Sequence, residues 1–86
     1  MHELSLALEI CRIAEQQAGT EATACIITVG VEVGDDAGVE PANLEFCLEA
    51  LLAQPPFQGA HAVISQAPGD VLRVSYLEIE DGSPDD

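Results

Sequence analysis

Residues 23–33 read TACIITVGVEV, and this run constrains the architecture more than any other part of the 86-residue chain. Apolar residues occupy every second position, which is the pattern of a β-strand: Cys25, Ile27, Val29, Val31 and Val33. Ile26 places a further apolar side chain on the other face and indicates that this face is partly covered as well. We therefore predict a strand over Thr23–Val33, followed by a loop at residues 34–38, where glycine and aspartate cluster.

An amphipathic helix is predicted on the N-terminal side of this strand, over residues 3–18. Its apolar residues recur at three- and four-residue spacing, and the stripe is broad: Leu4, Leu6, Ala7, Leu8, Ile10, Cys11, Ile13 and Ala14. The pattern stops at Ala18-Gly19-Thr20, where a glycine can adopt the left-handed conformation that ends helices.

A second helix is predicted after the loop, from Pro41 to Gln54. Proline suits the first turn of a helix because its missing N–H would be unpaired there anyway, and Pro55-Pro56 stops the helix. The buried stripe is predicted to consist of Leu44, Cys47, Leu48, Leu51 and Leu52.

Two more strands complete the predicted fold. Ala60, Ala62 and Ile64 alternate in the first, and Ala67-Pro68-Gly69-Asp70 predicts a type II turn that closes a tight hairpin. The last strand begins in phase at Leu72 and Val74 but resumes at Leu77 and Ile79, which predicts a bulge near Ser75-Tyr76.

The resulting order, α-β-α-β-β, predicts an α+β fold with two helices packed on one face of a three-stranded sheet. Residues 1–80 are expected to form a single domain, and residues 81–86 a disordered acidic tail.

Charge limits the partners that this chain can have. Its formal net charge is −14, with 16 acidic residues against Arg12 and Arg73. Such a field repels nucleic acid and anionic membranes, and it attracts cations or basic protein surfaces. No signal peptide and no apolar stretch near the ~20 residues of a membrane span is visible, so the chain is expected to start at or next to Met1.

The cysteines indicate a reducing compartment. Cys11, Cys25 and Cys47 are odd in number, widely spaced and embedded in apolar runs, as reduced core residues are. We expect a cytoplasmic monomer. We also expect no enzymatic activity, because no catalytic triad order, phosphate-binding loop or close pair of buried carboxylates is found.

The N-terminus Met1-His2-Glu3 offers an amine, a backbone nitrogen and an imidazole in fused chelate rings. This nitrogen set suits Ni(II) or Cu(II) rather than tetrahedral zinc, and Glu3 adds an oxygen ligand or an acceptor for the imidazole N–H. A histidine near a terminus is usually only solvated, so the spacing by itself does not establish a site.

Several stretches of the sequence resemble the HypA family, the nickel metallochaperones of hydrogenase maturation. The opening Met1-His2-Glu3-Leu4-Ser5 is the most specific of them. The others are similar to the first strand, the start and body of the second helix, and the closing strands of that family: residues 29–34, 38–41, 44–47, 59–60, 72–74 and 77–79.

The resemblance implies a nickel site built from Met1, His2, Glu3 and Glu40. Glu40 precedes Pro41 at the predicted N-cap, where Ser, Thr, Asp or Asn would stabilise the helix better, although a Glu there could also serve only as a favourable charge. Ni(II) would be held transiently and delivered. A HypB-type GTPase and the hydrogenase large subunit are the implied partners.

One departure from the family pattern is large. HypA proteins carry a zinc domain with two CxxC pairs between their last two strands, whereas this chain has only the turn at Pro68-Gly69. We therefore expect no zinc site. The alternative function is a metal-independent interaction module derived from the HypA fold.

Two other groups are less suited to be metal ligands. His61 is predicted to point away from the core as a solvated residue, and Asp35-Asp36 is explained as a solvated turn because no calcium-type loop follows it.

Overall fold

The strand expected from residues 23–33 is the middle strand of a three-stranded sheet. The computed structural model describes residues 3–80. In chain order it contains helix α1 (Glu3–Ala18), a 3-10 turn (Thr23–Cys25), strand β1 (Ile26–Gly34), helix α2 (Pro41–Leu52), strand β2 (His61–Ala67) and strand β3 (Leu72–Ile79). The α+β class and the order α-β-α-β-β are confirmed. The tail predicted for residues 81–86 lies outside the described residues.

The predicted hairpin between the last two strands is wrong. The strand order is β2-β1-β3, so β1 lies between the two strands that the turn connects. β1 is parallel to β2 and antiparallel to β3. The parallel pair requires a crossover long enough to return the chain to the same end of the sheet, and α2 provides it.

The β2–β3 connection consequently passes across the C-terminal end of β1. Gly34 N–H donates to the Val71 carbonyl at 2.6 Å, and Asp36 N–H donates to the Gly69 carbonyl at 2.8 Å. A Cβ atom at position 34 would overlap the backbone of Gly69 and Val71, so only glycine fits where the connection crosses the strand. Gly69 itself has a φ of 87°, as the predicted turn requires.

Two bulges set which side chains face the helices. Ser75 has no partner between the pairs Gly30↔Tyr76 and Val31↔Val74, which confirms the predicted bulge in β3. A second irregularity at Ile27 was not predicted. Because of it, Ile26 is buried at 3% exposure whereas Ile27 is 39% exposed, the reverse of the expected alternation.

The predicted strand also begins too early, since Thr23–Cys25 forms a 3-10 turn. The Thr23 hydroxyl donates to the Gly19 carbonyl at 2.7 Å and secures this turn against the end of α1. Gly19 has a φ of 87° and ends α1 as expected.

Both helices pack on the same face of the sheet. α2 contacts α1 and β2, and α1 also contacts β3. Leu44, Leu48 and Leu52 of α2 are fully buried and meet a sheet face that includes Val29 and Val31. Burying each of these leucines contributes roughly 1.5–3 kcal/mol to the free energy of folding.

Cys47 and Leu51, at the edge of the predicted stripe of α2, are only half-buried. α2 ends at Leu52, two residues before the predicted Gln54. Among residues 3–80, no helix is long and apolar enough to cross a bilayer.

Candidate metal centre

The N-termini of the two helices meet, and this junction is the candidate metal centre. The Glu3 carboxylate Oε2 accepts the backbone N–H of Glu40 at 3.0 Å. Glu3 opens α1 and Glu40 is the N-cap of α2, 37 residues further along the chain. The fold therefore brings together the two described members of the predicted site.

Glu40 has the local structure of a cap without the hydrogen bond that usually accompanies it. Its backbone is extended, with φ −85° and ψ 109°, and its side chain makes no cap hydrogen bond. The first turn of α2 is instead started by Pro41, whose φ is fixed by its ring. A Glu at this position does not serve the helix as Ser or Asp would. Its carboxylate is exposed at the junction.

Met1 and His2, the other two predicted ligands, lie outside the described residues. Within residues 3–80, no group of three or more His, Cys, Asp or Glu side chains is placed to hold a metal ion. The described part of the junction thus supplies two carboxylates, Glu3 and Glu40. Any nitrogen ligands would have to come from Met1 and His2.

One further acidic side chain, that of Asp35, lies beside the start of α2. A cleft of about 210 Å³ adjoins the start of α2 and is lined by Val33, Gly34, Asp35, Val39, Pro41 and Gln66. Asp36 is tied to the β2–β3 connection through its backbone N–H, as described above. The charge near the candidate centre therefore favours a cation.

His61 lies far along the chain from the junction, at the start of β2. Its side chain is 72% exposed, as predicted, but it is not only solvated: Nδ1 is 3.4 Å from Glu49 Oε1. The other oxygen of Glu49, Oε2, accepts the backbone N–H of Ala62 at 2.8 Å. Glu49 and His61 thus connect α2 to β2 and contribute nothing to the candidate centre.

The cysteines contribute no further ligands. Cys11 is buried, Cys25 and Cys47 are half-buried, and all three are free thiols. Burial, with a smaller contribution from the charge of Glu15, raises the pKa of the Cys11 thiol to about 11. Because the thiolate is the form that binds metal, Cys11 is a poor ligand near neutral pH.

The connection between β2 and β3, where the resemblance to HypA would place a zinc domain, consists of four residues, 68–71. The sequence contains no CxxC motif there or elsewhere. The hydrogen bonds of Gly34 and Asp36 to this connection make it an integral part of the sheet end.

Sequence reasoning missed two carboxylate contacts, Glu3 to Glu40 and Glu49 to Ala62. Both join positions distant in sequence, so no periodicity could reveal them. The only available signal for the first was the choice of Glu at an N-cap.

Comparisons with known proteins identify the family of this chain. A family model described as "Hydrogenase/urease nickel incorporation, metallochaperone, hypA" matches residues 1–72. The matched family is thus one of metal-incorporation accessory proteins rather than of catalytic enzymes. This chain belongs to the HypA family.

Individual relatives give the same result. The hydrogenase maturation factor HypA of Geobacter metallireducens is 38% identical over 69 residues, covering 80% of this chain and 60% of the relative. That of Albidiferax ferrireducens is 38% identical over 78 residues, covering 91% and 69%. That of Streptomyces avermitilis is 42% identical over 72 residues, covering 80% and 53%. The chain therefore spans about half to two thirds of the length of these relatives.

Proposed function

We propose that this chain binds one Ni(II) ion through Met1, His2, Glu3 and Glu40 and delivers it to a nickel enzyme during maturation. The observation that carries the proposal is the contact between Glu3 Oε2 and Glu40 N at 3.0 Å, which joins the N-terminal tripeptide to the N-cap of α2. Two peptide bonds connect Met1 to Glu3. The Cα of Met1 thus stays within two Cα–Cα steps, or ~8 Å, of the Cα of Glu3.

The proposed ligands suit Ni(II). The amine, a backbone nitrogen and the imidazole supply nitrogen ligands, and carboxylates complete the coordination of a divalent ion with tetragonal preference. Glu3 also has a structural role, because its Oε2 accepts a hydrogen bond from the backbone N–H of Glu40. A site that includes an exposed carboxylate, that of Glu40, can exchange its metal, as delivery requires.

The partners are proposed from family membership. A HypB-type GTPase and the large subunit of a [NiFe]-hydrogenase are the expected exchange partners. The family description names hydrogenase and urease together, so a urease-type target is also compatible.

A second candidate function is a metal-independent interaction module. The short connection at residues 68–71 favours it, because the segment in which HypA proteins carry zinc ligands is reduced to a turn. In this alternative the fold persists as a binding surface, and the junction of Glu3 and Glu40 has a structural role alone.

The deciding experiment is a nickel titration of untagged protein by calorimetry, together with the visible absorption of square-planar Ni(II). His2→Ala and a variant with one residue added before Met1 test the ligands. His61→Ala is the matched control, since it removes an exposed histidine outside the junction. We expect one nickel ion per chain, lost in the first two variants and retained in the control. Equal weak binding by all four proteins would replace the metallochaperone function with the interaction module.

A further inference from the structure

Helix α2 is apolar on nearly every side. Among its twelve residues only Asn43, Glu45 and Glu49 carry polar side chains. Helices of this kind are typically buried all round, whereas surface helices keep a polar outer face. Within residues 3–80, α2 is covered on one side only, so its outer face requires an explanation.

The uncovered apolar residues of α2 form a row, which we call the outer stripe: Ala42, Phe46 and Ala50. They follow each other at four-residue spacing, which places them on one side of a helix. All three are exposed, and the Phe46 side chain at 76% is the most exposed large hydrophobic side chain of the described residues. The opposite side of α2 holds the fully buried Leu44, Leu48 and Leu52.

Two carboxylates run alongside the outer stripe. Glu45 and Glu49 are also four residues apart, so they form a parallel acidic row next to Phe46. Glu45 is exposed. Glu49 is held in place by its hydrogen bond to Ala62 N–H at 2.8 Å. The surface therefore combines an exposed aromatic side chain, Phe46, with an acidic margin formed by Glu45 and Glu49.

The charge of this surface limits which molecules or segments can cover it. Residues 81–86, DGSPDD, are acidic and have no large apolar side chain to bury against Phe46. A second copy carries the same charge of −14. The sequence has only two arginines, and both are engaged within the chain: Arg12 with Glu9, and Arg73 Nε with Glu32 Oε1 at 2.7 Å. Neither the tail nor a second copy complements the stripe.

We propose that the outer stripe of α2 docks into an apolar pocket ringed by lysine and arginine side chains on a partner protein. Phe46 fills the pocket, and the exposed Glu45 faces its basic rim. Exposed aromatic residues that enter a desolvated pocket are the usual energetic centre of such interfaces. The acidic margin accelerates the encounter with a basic partner and orients it.

The position of the stripe gives this docking a role in the proposed function, on which this inference rests. Phe46 follows Glu40 by six residues, which is about 9 Å along a helix axis at 1.5 Å per residue. A partner seated on Phe46 therefore stands beside the junction of Glu3 and Glu40. Docking would thus take place within about two helical turns of the proposed metal site.

The test uses the HypB-type GTPase of the same organism as the probe, with affinity measured by calorimetry. Phe46→Ser is expected to weaken binding at least tenfold, and Phe46→Leu to restore most of it, because the pocket requires apolar bulk. Glu45→Lys is expected to weaken binding severalfold and to reduce its dependence on salt. Leu8→Ser is the matched control: it removes a leucine of α1 that is 53% exposed, and affinity should not change.

Thermal unfolding of each variant separates a loss of docking from a loss of folding. If Phe46→Ser does not fold, the affinity of Glu45→Lys for the GTPase tests the proposal instead. Unchanged affinity in both Phe46→Ser and Glu45→Lys, or no binding by the unmodified chain, would overturn the proposal. So would a dimer in light scattering that Phe46→Ser dissolves, since the occupant would then be a second copy.

Nickel titration of the same variants keeps the two proposals apart. Phe46→Ser should bind nickel as the unmodified chain does. Loss of GTPase binding without loss of nickel supports the docking surface. If no variant binds nickel but Phe46 still governs GTPase binding, the proposed function fails and the docking surface stands.

Discussion

Two glutamates make the same kind of hydrogen bond at opposite ends of α2, in which a carboxylate accepts a backbone N–H. Glu3 accepts the amide of Glu40 at 3.0 Å, and Glu49 accepts the amide of Ala62 at 2.8 Å. Each bond joins two different elements of the fold. The first joins α1 to α2 and the second joins α2 to β2.

The surroundings of the two contacts differ. Glu49 lies within the fold, beside an edge strand whose outward N–H groups would otherwise be open to pairing with another chain. Glu3 lies next to the N-terminal amine and His2 in sequence, at an N-cap that gains no side-chain hydrogen bond from Glu40. The Glu49 bond joins α2 to β2, and the Glu3 bond is proposed to serve the metal site as well. Substitution at each position separates the two roles.

The largest effect is expected from Glu3→Ala on nickel affinity. Removing a group that orients metal ligands typically costs about 10- to 100-fold in affinity, and Glu3 both orients Glu40 and is a proposed ligand itself. Glu49→Ala serves as the matched control in the calorimetric titration. Equal affinities in the two variants would show that the Glu3 contact is as structural as the Glu49 contact.

A smaller effect is expected from Glu49→Ala on stability. The Ala62 amide loses its partner, which costs about 1–2 kcal/mol of unfolding free energy where water replaces the carboxylate only in part. Urea unfolding followed by circular dichroism measures this loss, with Glu45→Ala as the control because Glu45 is exposed. If Glu49→Ala were as stable as Glu45→Ala, the carboxylate would not be holding the edge strand.

The smallest effect, and the one of opposite sign, is expected from Glu40→Ser. Serine is a better N-cap than Glu, so the free energy of unfolding should rise by about 0.5–1 kcal/mol while nickel affinity falls. The same unfolding and titration measurements give both values. A drop in stability would mean that Glu40 is retained for the helix, through its charge at the positive helix end, rather than for the metal.

Much of the local structure was predictable from the sequence. The bounds of α1 and β3 agree with the apolar periodicity, and the bulge at Ser75 follows from a break in the alternation of β3. These features depend on neighbouring residues alone. The sequence also predicted that Glu40 would be the N-cap of α2.

Pairing between strands was less predictable. Pro68-Gly69 is a turn, as expected, but a turn does not determine whether the strands on either side pair with each other. α2 is long enough to serve as a crossover, and that was the available signal for a parallel β1–β2 pair. Ile26 rather than Ile27 is buried because the pairing of β1 with β3 is irregular at this point. The alternation of apolar residues in β1 does not reveal that irregularity.

The sequence by itself thus determined the helices, the strands, the acidic charge and the membership of a nickel-related family, because these follow from local periodicity, composition and short motifs. Only the tertiary structure decided that β1 separates β2 from β3, that Phe46 remains uncovered, and that Glu3 meets Glu40 across 37 residues. The physical reason is that such contacts depend on how the two helices pack on one face of the sheet. Packing is a property of the whole chain rather than of any segment.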